Sequence, residues 1–363
     1  MATRAYRKSS IKDVARLAGV STTTVSYLMN GREDVCAAET AKRIRMAIAE
    51  LQYTPNSLTR GLRQGETRTI GVCLYSPLDP ELRFGNLFFE QLWRGIVRET
   101  DAVDYSLLHY PLSVRGGTNS DAFLDGRVDG LLFHGLDDAR AQKVLRAGLP
   151  AVVLTRSRDL PDGCGTAFAD EEQTVRLALD HLFGFGHRRI AHLAGPVIPN
   201  PDADTIRKKA DDIALLRLSA YTSQMQAAGY YDPALIGYAD SWRDAAHKAV
   251  SIVMAWQALP DPPTAVLCAN DVLAAAVVGA AIAIGLSVPE NLSVVGIDDS
   301  VEARDAIVPL TSVAVPVHKI GQEAVRSLLR LMAGEPAEAC RVAVPVTDIV
   351  VRGSTARCSR KET

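Results

Sequence analysis

From residue 69 onward the chain alternates short apolar runs with stretches of helical periodicity. TIGVCLY (69–75), DYSLLHY (104–110), DGLLFHG (129–135) and AVVLT (151–155) read as strands, and so do RIAHLAG (189–195), AVLCAN (265–270) and LSVVGID (292–298). Helical patterns fill the gaps at Phe89–Glu99, Gln173–Phe185, Ala214–Ala228, Trp242–Trp256, Val272–Ile284 and Lys319–Met332. Such alternation implies parallel sheets covered by helices on both faces. About 270 residues are too many for one sheet of seven strands, so two sheet domains with a cleft between them are expected.

In open parallel sheets ligands collect at the carboxyl ends of the strands. AVLCAND ends there in Asn270-Asp271, LSVVGIDD in Asp298-Asp299, and Arg217 opens RLSAY on a helix after a long loop. Amide, carboxylate and guanidinium in one crevice suit a hydroxylated ligand. Each taken singly also reads as a helix cap or a surface ion pair. His187, in GHRRIA, reads as a structural loop residue and not as a catalytic base. No Walker loop, nucleophile elbow or HExxH motif occurs, and no paired acid and base, so no enzyme is expected. The six cysteines lie far apart, without CxxC or zinc spacing; they read as reduced, mostly buried thiols, with no metal site.

Charge divides the chain unevenly. Residues 1–68 hold 12 Lys and Arg against 6 Asp and Glu, and the rest hold 28 against 36. A small basic head on a large acidic body is the asymmetry expected when only the head meets phosphates; a solvated basic tail is the plainer alternative. The N-terminus lacks the apolar stretch of a signal peptide, and no apolar run is long enough to span a membrane, so a cytoplasmic protein is expected.

Within the head, Ser10 can cap a helix, with Asp13 completing a shortened capping box. Ile11, Val14, Ala15 and Ala18 share one face, and Gly19 ends the helix. Ser21 caps a second helix that turns Val25 and Leu28 inward, with Met29 alongside, and leaves Thr22, Thr23, Ser26 and Tyr27 pointing outward. Two short helices joined by a glycine turn form a helix-turn-helix, whose second helix enters the major groove. A helix needing only stability would not carry three successive threonines; short hydroxyls there can reach base edges or phosphates. Ile44, Ala47, Ile48 and Leu51 mark a third helix. After Pro55, Ser57 to Arg63 can form one or two turns that order only against a partner chain or DNA.

SSIKDVARLAGVSTTTVSYLMNG, followed by AELQYTPNSLTRGLRQGETRTIGV, resembles the DNA-binding head and hinge of the lactose/galactose repressor family. The resemblance continues through DHLFGFGHRRIAHLAGP, CANDVLAAAVVGAAIAIGLSVPENLSVVGIDDS and PLTSVAVPVHKIGQEAVRSLLRLMAGEP to about residue 353. It implies an all-α helix-turn-helix head (1–54), a hinge helix and linker (55–68), and a body of two doubly wound, periplasmic-binding-protein-like subdomains. Their expected limits are 69–168 plus 316–342, and 169–314 plus 343–353, with a tail over 354–363. It further implies base reading by Thr22, Thr23 and Tyr27, with Thr24, Ser26 and Asn30 near phosphates; Ser21, Tyr53, Asn56 and Thr59 complete the DNA-contact set. Leu62 would wedge into the minor groove beside its twin from a second subunit. Effector contacts would come from Phe89, Thr155, Arg156, Arg217, Trp242, Asn270, Asp298 and Val317.

The chain departs from the family in places. Tyr27 stands where arginine is usual, Thr155 where sugar-binding members often carry aspartate, and Leu87 where proline is usual. Near Cys36 the usual serine cap is missing and an extra alanine intervenes. The residues lead to a homodimeric transcriptional regulator of a near-palindromic DNA operator, a repressor by expectation, controlled by a small-molecule effector, with no cofactor and no membrane partner. Such a protein would be bacterial and associated with the nucleoid when on DNA. An activator of the same build is the near alternative; a sugar-binding transport protein or a cleft enzyme with a basic head is the distant one. The terminal VRGSTARCSRKET lacks leucine heptads, so no tetramerisation helix is expected.

Overall fold

The computed structural model describes residues 9–29, 32, 36–53, 66–74, 87–110, 120–134, 138–196, 212–239 and 245–360. The hinge segment 54–65 and the site expectations on Asn30, Asn56, Thr59, Leu62 and Trp242 lie outside the described residues. The chain divides into two units, Met1–Thr67 and Arg68–Thr363.

In the head, α1 (Ile11–Ala18) starts at a reciprocal cap. Asp13 N–H donates to Ser10 Oγ and Ser10 N–H to Asp13 Oδ2, at 3.3 and 3.0 Å. It stops at Gly19, whose φ of 68° is the left-handed conformation that glycine takes without steric cost. Helix α2 (Thr22–Met29) follows at once, and α3 (Ala38–Glu50) begins at Ala37 without a side-chain cap, as the missing serine implied. Val14, Ala15 and Ala18 of α1, Val25 and Leu28 of α2, and Ala41, Ile44 and Ala47 of α3 are buried together. This small core holds two short helices that would be marginal alone.

The body contains, among the described residues, two six-stranded sheets. The first has the order β11-β5-β4-β3-β1-β2 and is wholly parallel. Its strands are β1 (Thr69–Leu74), β2 (Ser106–His109), β3 (Gly130–His134), β4 (Ala151–Leu154), β5 (Gly165–Ala169) and β11 (Arg341–Val344). The second has the order β12-β10-β9-β8-β6-β7. It comprises β6 (Ile190–Pro196), β7 (Ile236–Ala239), β8 (Ala265–Cys268), β9 (Ser293–Ile297), β10 (Thr311–Ala314) and β12 (Asp348–Val350). Only the edge strand β12 runs antiparallel, against β10.

Connecting helices are α4 (Leu87–Ala102), α5 (Asp138–Arg146), α6 (Glu171–Gly184), α7 (Asp212–Ala227), α8 (Ala245–Gln257), α9 (Asp271–Ala283), α10 (Val301–Asp305) and α11 (Val317–Met332). Helices α4 and α11 cross at glycines. A Cβ on Gly95 would fall on the His318 carbonyl, and one on Gly321 on the Leu92 carbonyl. Arg326 of α11 adds a two-pronged bond to Glu99 of α4, at 2.8 and 2.9 Å.

The chain passes between the sheets after β5, after β10 and after β11, which ends at Val344, two residues beyond the limit read from the sequence. The supposed tail needs correction at its start. Ser354 is fully buried, its carbonyl accepts from Val294 N–H at 2.8 Å, and Cys358 N–H donates to Phe185 O at 2.8 Å. These residues act as an extra backbone strap because strand β9 and the turn after α6 have donors or acceptors to satisfy. His187 belongs to the same strap: Nδ1 pairs with Thr264 Oγ1 at 2.9 Å and Nε2 with Ala356 O at 3.0 Å, the structural role expected of it.

Candidate functional site

In the head, Ser21 Oγ accepts from Thr24 N–H at 3.1 Å and pairs with Thr24 Oγ1 at 2.9 Å. That cap fixes the start of α2 and leaves Ser21, Thr22, Thr23 and Tyr27 exposed, with Thr24 half-buried. Ser26 is turned inward instead, at 8% exposure. The expectation that it points outward fails because the covered arc of α2 takes in Val25, Ser26, Leu28 and part of Met29, wider than an i, i+3 stripe. Tyr53 is half-buried against the head core. A cation missed in the sequence lies beside the second helix: the Arg32 guanidinium is 5.2 Å from the centre of the Tyr27 ring.

In the body the polar residues converge at one corner. Arg217, on α7, is 2% exposed. Its Nε donates to Glu171 Oε2 at 2.7 Å, and Nη2 donates to Glu171 Oε1 and to Asp298 Oδ1, both at 3.3 Å. Nη1 donates to the carbonyl of Ala269, the residue before Asn270, at 2.5 Å. Asn270 caps α9 by accepting from Leu273 N–H at 2.9 Å. Burial alone would weaken the guanidinium as a cation, but Glu171 and Asp298 outweigh it and hold its pKa above the usual value. For Asp298, burial pushes the carboxyl up to about 7; Arg217 opposes the rise, and Asp271 and Glu171 add to it.

The corner is held by hydrogen bonds behind it. Asp298 and Asp299 follow β9 with φ of 111° and 49°, in the positive-φ region that is uncommon outside glycine but that aspartate enters more readily than most residues. Asp298 N–H donates to Val313 O at 2.9 Å and Asp299 N–H to Ser312 Oγ at 3.0 Å. Asp271, 1% exposed, accepts from Ser312 Oγ at 2.6 Å and Ser300 N–H at 2.8 Å; burial raises its pKa to about 6, against the pull of those two donors. Arg352 Nη2 takes the Asp299 carboxylate at 2.6 Å. The adjacent aspartates thus face different partners.

The first sheet contributes separate groups. Phe89, near the start of α4, meets His134 at the end of β3 edge-on, ring centres 5.2 Å apart. Thr155 leaves β4 at φ 64° with its hydroxyl on Leu154 O at 2.7 Å. The guanidinium of Arg156 folds onto its own loop, donating to Arg158 O at 3.0 Å and Asp159 O at 2.5 Å. Val317 is buried in the first turn of α11. Arg217, Asp298 and the Asn270 segment are therefore joined by direct bonds, whereas Arg156 is engaged locally. Sequence reading missed Glu171 because DEEQ at a helix start has an ordinary capping explanation, and its partner is 46 residues away. Among the described residues no group of three or more His, Cys, Asp or Glu can hold a metal ion, and no helix is long and apolar enough to cross a membrane.

A capped, hydroxyl-rich helix following a glycine turn is built to enter the major groove of duplex DNA; coupled to an α/β body, it defines a helix-turn-helix regulator of transcription. Residues 10–56 match the model of the bacterial regulatory proteins, lacI family, and residues 179–355 match the periplasmic binding protein-like domain. The chain is 31% identical over 326 residues to the ribose operon repressor of Escherichia coli, covering 88% of this chain and 92% of that one. It is 32% identical over 360 residues to the transcriptional regulator CelR of Thermobifida fusca, covering 96% and 98%. The lac repressor dimer bound to operator and the anti-inducer ONPF superimposes with a TM-score of 0.79 at 28% identity, over 96% of this chain and all of that one. The chain belongs to the lacI family of bacterial regulatory proteins. It is a DNA-binding regulator of transcription and not an enzyme.

Proposed function

We propose that this regulator represses transcription as a dimer, its two heads reading the halves of a near-palindromic operator, and that a small hydroxylated effector bound at the Arg217–Asp298 corner controls its hold on DNA. The observation that carries the reading is that corner, at the carboxyl ends of parallel strands, where a buried guanidinium bonds a partly exposed carboxylate and the carbonyl just before Asn270. The names of similar proteins support it: a ribose operon repressor, a CelR–cellobiose complex, and a lac repressor dimer on its operator. Base contacts fall to Thr22, Thr23 and Tyr27 and phosphate contacts to Thr24 and Asn30, with Ser21, Tyr53, Asn56 and Thr59 completing the DNA-contact set; the inward-turned Ser26 supports the helix from within. Leu62 is the minor-groove wedge, with residues 55–68 as the hinge. Phe89, Thr155, Arg156, Trp242, Asn270 and Val317 join Arg217 and Asp298 around the effector, and no further cofactor takes part. Such a protein works in the bacterial cytoplasm, on the nucleoid when bound.

The effector changes DNA affinity only through its unequal affinity for two arrangements of the body. The test is a duplex selected from random DNA by the full chain, followed by fluorescence anisotropy with and without candidate sugars. Arg217→Ala should keep duplex binding and lose the response to the sugar; an unchanged sugar titration refutes the assignment of the corner. Leu62→Ala should weaken the selected duplex far more than random competitor, and equal losses on both refute the wedge.

A further inference from the structure

We infer that Glu171 sets the charge selectivity of the effector corner: by occupying the fork of Arg217 it closes the site to anionic ligands and leaves it to uncharged hydroxylated or cationic ones. The inference rests on the corner being the effector site.

A guanidinium is the natural two-pronged partner of a carboxylate or phosphate. Here the Nε–Nη2 edge already grips both oxygens of Glu171, at 2.7 and 3.3 Å. Nη2 reaches Asp298 and Nη1 reaches Ala269 O. Of the five N–H groups of an arginine, one Nη1 hydrogen is left over among the described residues, enough for a ligand hydroxyl but not for a second fork. An anion would have to displace Glu171, whose side chain is 7% exposed and has Arg217 as its ion-pair partner. The two carboxylates bonded to this one guanidinium, with Asp271 behind them, would repel it. Asp298 points the other way in its chemistry. Its side chain is 20% exposed, and among the described residues Oδ2 has no donor. It can accept from a ligand hydroxyl or ammonium group. Glu171 lies directly after β5, where the chain leaves the first sheet for the second. The residue that fills the fork is therefore carried by a crossing segment.

The test titrates the full chain calorimetrically, at constant ionic strength, with inorganic phosphate, acetate, D-ribose and D-glucosamine. Wild type, Glu171→Gln, Glu171→Ala and Arg217→Lys are compared. Subtracting Arg217→Lys removes phosphate bound by the basic head. Wild type should show no phosphate or acetate binding that depends on Arg217, and the Glu171 variants should bind phosphate at least tenfold more tightly than wild type. Glu171→Gln, nearly isosteric, carries the comparison if Glu171→Ala does not fold. Arg217-dependent phosphate binding by wild type overturns the inference, and so does the absence of a gain in folded Glu171 variants. Binding of D-ribose that ignores Arg217 overturns the location of the effector site instead, while the phosphate series still reports on the fork.

Discussion

Removing the cation from the buried corner should cost far more than removing cation and anion together. Arg217→Met leaves the Glu171 carboxylate, 7% exposed, without its bonds at 2.7 and 3.3 Å, and takes the donor from Ala269 O. Stranding one member of a buried pair costs about 3–5 kcal/mol. For a body of this size each kcal/mol corresponds to roughly 2–4 °C, so its melting temperature should fall by about 10 °C. Glu171→Leu combined with Arg217→Met removes both charges, and replacing a buried pair by apolar groups is often near neutral. The double variant should therefore be more stable than Arg217→Met alone, which requires the coupling energy to exceed the cost of Glu171→Leu by itself. Differential scanning calorimetry of the full chain, following the body transition, measures all four corners of the cycle. If the double variant loses as much as the two singles added together, the pair is not coupled and the account of the corner is wrong.

Other expectations follow from single features. Gly95→Ala places a Cβ on the His318 carbonyl, so α4 and α11 must separate; a loss of about 2 kcal/mol or more in urea unfolding is expected, and a neutral variant would refute the close crossing. Tyr27→Arg should shift selection toward guanine at one base pair per half-site, since a guanidinium matches guanine O6 and N7; selection from random DNA showing no shift would assign that base to another residue. His192 is wholly buried, stacked on Tyr221 with Nδ1 on Leu267 O at 2.9 Å, and burial lowers its pKa to about 4, the hydrogen bond opposing and Arg217 adding to the fall. Its neutral form is favoured by folding, so its stability contribution is complete above pH ~6.5 and declines by up to about 3 kcal/mol as the pH falls toward 4. Asp271 and Asp298, raised to about 6 and 7, act oppositely, adding stability in acid that is lost as the pH rises through those values. The difference between wild type and His192→Phe isolates the histidine: acidification from pH 7 to 4.5 should favour the variant, and parallel profiles would refute the reasoning.

The head was legible in the sequence because its information is local. Ser10 and Asp13 cap within one turn, Gly19 ends that helix at positive φ, and Ser21 caps the next, all within twelve residues. The apolar strands of the body were equally legible wherever apolar residues predominate over four or more positions, as in β1, β3 and β9. Strand β10 was not. It reads Thr-Ser-Val-Ala, and its two buried hydroxyls are satisfied by Thr355 and Asp271, one from the terminal strap and one from α9. Strands β5, β7, β11 and β12 are short and carry small or charged residues, so they too lack a periodic signal.

What the amino-acid order alone determined was the class of protein: caps, turns and apolar periods act over a few residues and leave a readable trace. Asp298 could be nominated from a strand end and Arg217 from the start of a helix after a long loop, but not what holds them. The grip of Glu171 on Arg217 spans 46 residues, and the bond from Arg217 to Asp298 spans 81. The burial that raises the Asp298 carboxyl, and the filling of the guanidinium fork, exist only once separate strand ends are packed into one corner, because desolvation and Coulomb interaction depend on distance in space and not along the chain.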